Sequence, residues 1–366
     1  MPACVFTATA PSPGAVAIIQ IRGDSLPSLL YKITGVADWP FSRVRLVHFR
    51  DIDSGLAVML RDDWAQLMPH GGPRVVQRII EALIACGATC EADPPSRHVY
   101  PEAASDLEAD MLAAIARAAS PAAIDLLLQQ PARWSALLAD AGNCRAALAA
   151  ARDDAALLQR MVDPPAVVVI GQPNVGKSTL TNRMLGRAAS IVADLPGTTR
   201  DWVAGLAEIG TAGGASSAIA VRWTDTPGLR QSDDAIEQRA IEQANQVIAA
   251  ADVLIVMRDP LIDWPKETAL PRTPDVWVMN KMDRADAISP RPPGSHEQDE
   301  ESLGMTRRSP LSISAETGAN TERLEQAVLG KLGLARLPTG AIAFSAGLSD
   351  LALRGDLAGL RKYCGV

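Results

Sequence analysis

The run Gly171-Gln172-Pro173-Asn174-Val175-Gly176-Lys177-Ser178 has the residue types and spacing needed to hold phosphate groups. It follows the β-branched stretch Val167-Val168-Val169-Ile170. An apolar-periodic segment then begins at Thr179 and Leu180, so the loop lies between a strand and a helix. Its glycines let the backbone curl around an anion and aim N–H groups at it. Lys177 is expected to reach the β- and γ-phosphates of a nucleotide, and the Ser178 hydroxyl to ligate Mg²⁺. Asn174, Val175, Gly176 and Thr179 complete the expected phosphate contacts.

Further elements follow in the order a guanine-nucleotide switch requires. Gly197-Thr198-Thr199-Arg200-Asp201 is a polar loop suited to the first switch; Thr198 contacts nucleotide, and Thr199 supplies a second hydroxyl to Mg²⁺. Asp225-Thr226-Pro227-Gly228 comes after an apolar run from Ile219 to Trp223. Asp225 would hold the Mg²⁺ shell through water, and the Gly228 amide would sense the γ-phosphate. Asn280-Lys281-Met282-Asp283 ends the run Val276 to Met279. The Asp283 carboxylate can accept from guanine N1–H and the exocyclic amine, a donor pair that adenine lacks. Ser314-Ala315-Glu316 fits the loop over guanine O6. The ordered set predicts a P-loop enzyme that binds and hydrolyses GTP, with Lys177 and Thr199 among its catalytic groups.

Small GTPases of the Ras type orient the attacking water with a glutamine directly after the DxxG glycine. Here that position is Leu229, which cannot do so. Another group, a partner or a cation must contribute. Asn174 has two readings from chemistry alone: its side-chain oxygen helps hold a monovalent cation beside the phosphates, or it only shapes the loop.

The elements that must carry these residues can be read from the pattern. Val16 to Ile21 reads as a buried strand, Arg43 to Phe49 as a half-exposed one, and His70-Gly71-Gly72-Pro73 as a loop opening a helix. Val75, Val76, Ile79, Ile80, Leu83 and Ile84 recur at helical spacing in that helix. Asp93-Pro94-Pro95-Ser96 closes a first domain. The Ala- and Leu-rich stretch from Asp106 to Leu158 predicts several short helices, and Asp163-Pro164-Pro165 is a linker. Beyond it, β-rich and helical runs alternate, as an α/β nucleotide fold with a mostly parallel sheet requires. The polar, Pro-rich stretch 286–310 reads as a solvated loop.

With 366 residues, two or three compact units are expected. A formal net charge of −7 means that any nucleic-acid contact must come from a local basic patch. The five scattered cysteines exclude a disulfide framework, and Cys86 and Cys90, one helical turn apart, read as packing residues. The first basic residue is Arg22, so the start lacks the positive region of a signal peptide, and no charge-free stretch reaches membrane-spanning length. These observations predict a cytoplasmic protein without a membrane partner.

Three motifs resemble those of the MnmE (TrmE) family of tRNA-modification GTPases: the phosphate loop 171–178, Asp194-Leu-Pro-Gly-Thr-Thr-Arg-Asp201, and Asp225-Thr-Pro-Gly-Leu-Arg230. The related Era and Der GTPases share them, but the N-terminal half is similar to MnmE alone. The family's Thr-Pro-Pro-Gly turn and first strand are matched by Thr9-Ala-Pro-Ser-Pro-Gly14 and Ala15-Val-Ala-Ile-Ile-Gln20, and its His-Gly-Gly-Pro by His70 to Pro73. The resemblance implies an N-terminal MnmE-type α+β domain over 1–95 and a short helical domain split between 96–163 and 336–366. A Ras-like G domain over 164–335 is inserted between them. It implies a K⁺-stimulated GTPase that dimerises through its N-domain, binds a folate derivative there, and works with an FAD protein of the MnmG type on the wobble uridine of tRNA.

Departures accompany the likeness. The family's folate-contacting arginine falls at Gln20, and its Glu-Asp pair appears as Asp62-Asp63. The glutamate that the family uses in hydrolysis is Gln231, which can orient a water but not act as a carboxylate base. The family's reactive C-terminal cysteine corresponds to Cys364 in a shortened Tyr363-Cys364-Gly365-Val366 ending; it reads equally as a catalytic thiol or as an ordinary terminal residue. The alternative function is a diverged regulatory or ribosome-associated GTPase, closer to Era or Der, that no longer modifies tRNA.

Overall fold

The computed structural model describes residues 3–9, 14–140, 144–186, 203–210, 217–226, 235–265, 270–283 and 310–366. It divides into two compact units, Met1–Ala113 and Ala114–Val366.

The first unit is built on strands β1 (Cys4–Thr7), β2 (Ile19–Arg22), β3 (Arg45–Phe49), β4 (Asp53–Arg61), β5 (Trp64–Met68) and β6 (Thr89–Cys90). They form one sheet in the order β3-β4-β5-β2-β1-β6, antiparallel except for the parallel pair of β1 and β6. Helices α1 (Leu26–Thr34) and α2 (Pro73–Ala85) cover it, and a short helix α3 (Ser96–Val99) follows. Ile19, Ile21 and Leu67 of the sheet pack with Leu26, Leu30 and Ile33 of α1 and with Ile79 and Leu83 of α2, all essentially inaccessible to solvent. Each such side chain contributes about 1.5–3 kcal/mol of transfer free energy.

The structure departs from the sequence pattern at Val16 and Cys90, and it bears out the helix that carries Val75 to Ile84. The expected strand from Val16 begins at Ile19, because Ala17 donates its N–H to the Pro69 carbonyl and Gly71 to that of Ala15, which holds the segment on the loop before α2. Of the six apolar positions on α2, only Ile79 and Leu83 are fully buried, because the sheet covers one narrow face of the helix. Cys86 caps α2 and packs against the core, whereas Cys90 lies on β6 and is exposed; a turn at Gly87 breaks the helical spacing between them.

α4 (Asp106–Arg117) runs across the unit boundary. The second unit continues with α5 (Pro121–Leu128), α6 (Gln130–Ala139), α7 (Cys144–Asp153) and α8 (Ala155–Val162). Then come β7 (Ala166–Gly171), α9 (Lys177–Leu185), β8 (Val203–Ile209), β9 (Ile219–Asp225), α10 (Ala235–Ala250), β10 (Val253–Arg258), β11 (Val276–Met279) and β12 (Leu311–Ser312). Helices α11 (Thr321–Leu332), α12 (Ala346–Arg354) and α13 (Leu357–Cys364) complete it. The sheet order is β12-β11-β10-β7-β9-β8, with every pairing parallel except that of β8 with β9. The mixed α/β class with a mostly parallel sheet is thus as the sequence predicts. Val167 to Ile170 on β7 are fully buried, in keeping with a strand covered on both faces.

The chain after α11 returns to the helices that precede β7. Arg133 donates to the carbonyls of Pro338 and Gly340 at 3.1 and 2.9 Å, and the Trp134 indole to Ile342 at 3.1 Å. Buried Gln130 accepts from the Ile342 N–H at 2.8 Å. Among the described residues, no helix is long and apolar enough to cross a membrane.

Candidate phosphate and base site

The loop between β7 and α9 sits at the carboxyl end of β7, where the sheet order reverses from β9 on one side to β10 on the other. In open α/β sheets, ligands bind outside such a reversal. Two glycines make the loop possible. Gly176 has φ of +95°, and a Cβ there would lie 2.3 Å from the Asn280 Nδ2 atom. At Gly171 a Cβ would meet the Met257 carbonyl oxygen at 2.2 Å.

Lys177, only 8% exposed, donates its ammonium to the carbonyls of Gly171 and Gln172, each at 3.0 Å. Burial lowers its pKa from the ordinary lysine value, and the Asp225 carboxylate partly offsets that. Ser178 Oγ donates to Asp225 Oδ2 at 2.8 Å. Asp225 is buried at the end of β9, and burial raises its pKa against the opposing pull of Ser178 and Lys177. Its second oxygen, Oδ1, is buried without a hydrogen-bond partner. An orphaned carboxylate oxygen beside a hydroxyl is an all-oxygen donor set that suits a hard divalent cation such as Mg²⁺. Thr226 is turned inward instead: its hydroxyl donates to the Val169 carbonyl at 3.1 Å.

The base-side elements meet the phosphate loop through Asn280. This side chain, 2% exposed, donates to the Val175 carbonyl at 2.8 Å and accepts from the Ala315 N–H at 2.8 Å. Lys281, with φ of +63°, donates to the Asn174 carbonyl at 2.6 Å and pairs with Asp259 at 2.8 Å. Asp283 is exposed at the end of the same turn. Ser314 is buried and accepts from the Thr317 N–H at 3.1 Å, closing the turn that contains Ala315 and Glu316. Val175 is buried, Asn174 is exposed with φ of +65°, and Thr179 is exposed on the first turn of α9. Thr198, Thr199, Pro227, Gly228, Leu229 and Gln231 lie outside the described residues.

Two residues without any motif complete the arrangement. Arg183 on α9 donates to the Ala315 carbonyl at 2.7 Å and to that of Glu316, so it braces the turn from below. Asp259, at the end of β10, anchors Lys281. A charged residue on an otherwise mixed helix face is a weak signal for Arg183, and an Asp directly after an apolar run is an equally common one for Asp259.

Elsewhere, the departures acquire structural explanations. Gln20 is 4% exposed, and its amide is occupied at both ends: it donates to the Val99 carbonyl at 2.8 Å and accepts from the Trp64 indole at 2.9 Å. Asp63, in the β4–β5 turn, pairs with Arg22 at 2.9 Å and Arg61 at 3.5 Å. Cys364 lies half-buried on α13, and burial pushes its thiol up to about 11, so it stays protonated at neutral pH.

The family model described as 50S ribosome-binding GTPase matches residues 166–284. The tRNA modification GTPase MnmE of Prochlorococcus marinus (strain MIT 9303) is 28% identical over 415 aligned positions, 97% of this chain and 86% of the relative. The MnmE of Acidiphilium cryptum (strain JF-5) is 30% identical over 292, 66% of each chain. Among solved structures, Era of Aquifex aeolicus bound to GDP.AlF4- is similar at 28% identity, over 50% of this chain and 59% of its own, with a TM-score of 0.35.

Proposed function

The chain belongs to the MnmE family of tRNA modification GTPases, and on that premise we propose how its residues divide the work. The observation that carries the proposal is the assembly of Lys177, the Ser178–Asp225 pair and Asn280 at one end of one mostly parallel sheet. Lys177 and the N–H groups of 174–179 hold the phosphates of GTP. Ser178 ligates Mg²⁺, supported by the free Asp225 oxygen, with Thr199 as its second hydroxyl ligand. When bound there, Mg²⁺ would supply charge neutralisation at the phosphates. The exposed Asn174 contributes to a K⁺ site, and Gln231 orients the hydrolytic water.

Asp283, with the turn Ser314 to Glu316, reads guanine. Asp283→Asn is expected to shift preference from GTP toward xanthosine triphosphate, whose C2 oxygen suits an amide donor, by about 10²-fold or more. Competition of the two nucleotides for the variant measures this, and an unaltered preference removes Asp283 from base recognition.

We divide the chain into an N-terminal domain over 1–95, a G domain over 164–335, and a helical domain from 96–163 and 336–366; the Arg133, Trp134 and Gln130 bonds to 338–342 support the last pairing. The protein acts in the cytoplasm on the wobble uridine of tRNA, as an N-domain dimer working with an FAD protein of the MnmG type. Folate recognition is not assigned to Gln20, whose amide is already occupied, and Cys364, half-buried on α13, is kept as the candidate thiol. The test is mass spectrometry of wobble-uridine nucleosides in bulk tRNA from cells with and without the gene. Loss of the carboxymethylaminomethyl-type nucleoside is expected; an unchanged profile removes the modification role and favours a regulatory GTPase.

A further inference from the structure

We propose that Cys4, Glu91 and His98 form a binding site for one zinc-type divalent cation in the first unit, apart from the nucleotide chemistry. Their thiol sulfur, carboxylate oxygen and imidazole nitrogen lie within 4.8 Å of one another. His98 Nδ1 and Glu91 Oε2 are 3.3 Å apart, close to the ~3.3 Å that separates two nitrogen or oxygen ligands around a tetrahedral zinc ion. The sequence does not advertise the site, because its ligands come from three separate segments.

The fold brings them together by backbone pairing. β1 and β6 run parallel with Cys4 opposite Thr89 and Val5 opposite Cys90, and the Glu91 N–H extends the ladder to the Val5 carbonyl at 3.1 Å. Glu91 thereby leaves the end of β6 beside Cys4. Pro94 and Pro95 then turn the chain into α3, which carries His98 back over that edge. The buried Gln20 amide fastens α3 in place through the Val99 carbonyl at 2.8 Å.

The donor set selects the ion. A thiolate, an imidazole and one carboxylate suit zinc or another borderline-soft metal, whereas Mg²⁺ favours oxygen ligands alone. His98 and Glu91 are each about one-third exposed, which leaves room for water at the fourth position. Uptake transfers the Cys4 thiol proton to solvent, with no change of oxidation state. An ion here ties the first strand of the chain to the segment that leaves its sheet.

The experiment uses the full-length protein, stripped with chelator and titrated with Co²⁺ as a spectroscopic stand-in for Zn²⁺. A thiolate-to-cobalt charge-transfer band in the near ultraviolet, saturating at one equivalent and displaced by Zn²⁺, is expected. Cys4→Ser should abolish the band, and His98→Ala should weaken Co²⁺ binding by about tenfold or more. Cys90→Ser, which changes the exposed neighbouring cysteine, should leave both unaltered. Absence of the band in the unmodified protein, which needs no variant to fold, overturns the site. So does a band that survives Cys4→Ser or disappears with Cys90→Ser.

Discussion

Lys177→Ala is expected to lower GTP affinity by about 10²-fold or more and to remove most turnover. The ammonium rests on two loop carbonyls at 3.0 Å, inside the loop and one residue from Ser178. Charge-assisted bonds of this kind contribute about 1.5–3 kcal/mol each, and a phosphate group entering the loop would exchange the carbonyls for stronger anionic acceptors. Because transition-state charge develops on the same phosphate oxygens, loss of one preorganised donor costs about 10²–10³ in rate as well. The fold should survive, since removing a buried cation also removes its desolvation cost. The decisive measurement pairs the equilibrium affinity for a fluorescent GTP analogue with single-turnover hydrolysis, and a variant matching the parent in both would end the phosphate-loop assignment.

The second large effect is expected at a residue that touches both halves of the site. Asn280→Ala deletes a buried amide whose two hydrogen bonds of 2.8 Å join the phosphate loop at Val175 to the base turn at Ala315. The Val175 carbonyl and the Ala315 N–H would remain buried without those partners, at about 1–3 kcal/mol each. The loop runs close against this amide, since a Cβ at Gly176 would lie 2.3 Å from Asn280 Nδ2. Nucleotide-free stability should fall by about 2–6 kcal/mol, and GTP affinity should fall with it. Asn280→Asp should recover little: it keeps the acceptor for Ala315 but turns an oxygen toward the Val175 carbonyl. Urea unfolding of the nucleotide-free variants, followed by nucleotide titration, measures both effects. An Asn280→Ala protein with the parent's midpoint and affinity would show that the two loops are held by other contacts.

These two residues also differ in how much of their role was legible beforehand. For Lys177 the expectation rests on eight contiguous residues, because a phosphate loop is local chemistry: glycines for the curl, a lysine and a hydroxyl for the anion and its metal. The motif names Asn280, yet its part as a brace depends on Val175 and Ala315, which neighbour it only after β7, β10, β11 and β12 align in parallel. Arg183 and Asp259 carried no motif, because a helix-borne arginine and a post-strand aspartate are common on surfaces. Gln20 announced itself only as a polar residue in an apolar strand; its two partners arrive from β5 and α3. Cys90 does not share the packing of Cys86, because the helix that Cys86 caps ends before it.

The sequence by itself determined the GTP chemistry, the alternating α/β order of the second half and the family, since each rests on short contiguous strings whose backbone demands are nearly context-free. Only the tertiary structure decided which polar groups are spent holding the fold and which remain for a ligand: Gln20 and Thr226 are engaged, whereas Asp225 Oδ1 is not. The same holds for the meeting of Cys4 with Glu91 and His98. The reason is that hydrogen bonds and coordination are satisfied between groups a few ångströms apart. For residues distant along the chain, sheet register sets that proximity, and no local pattern encodes it.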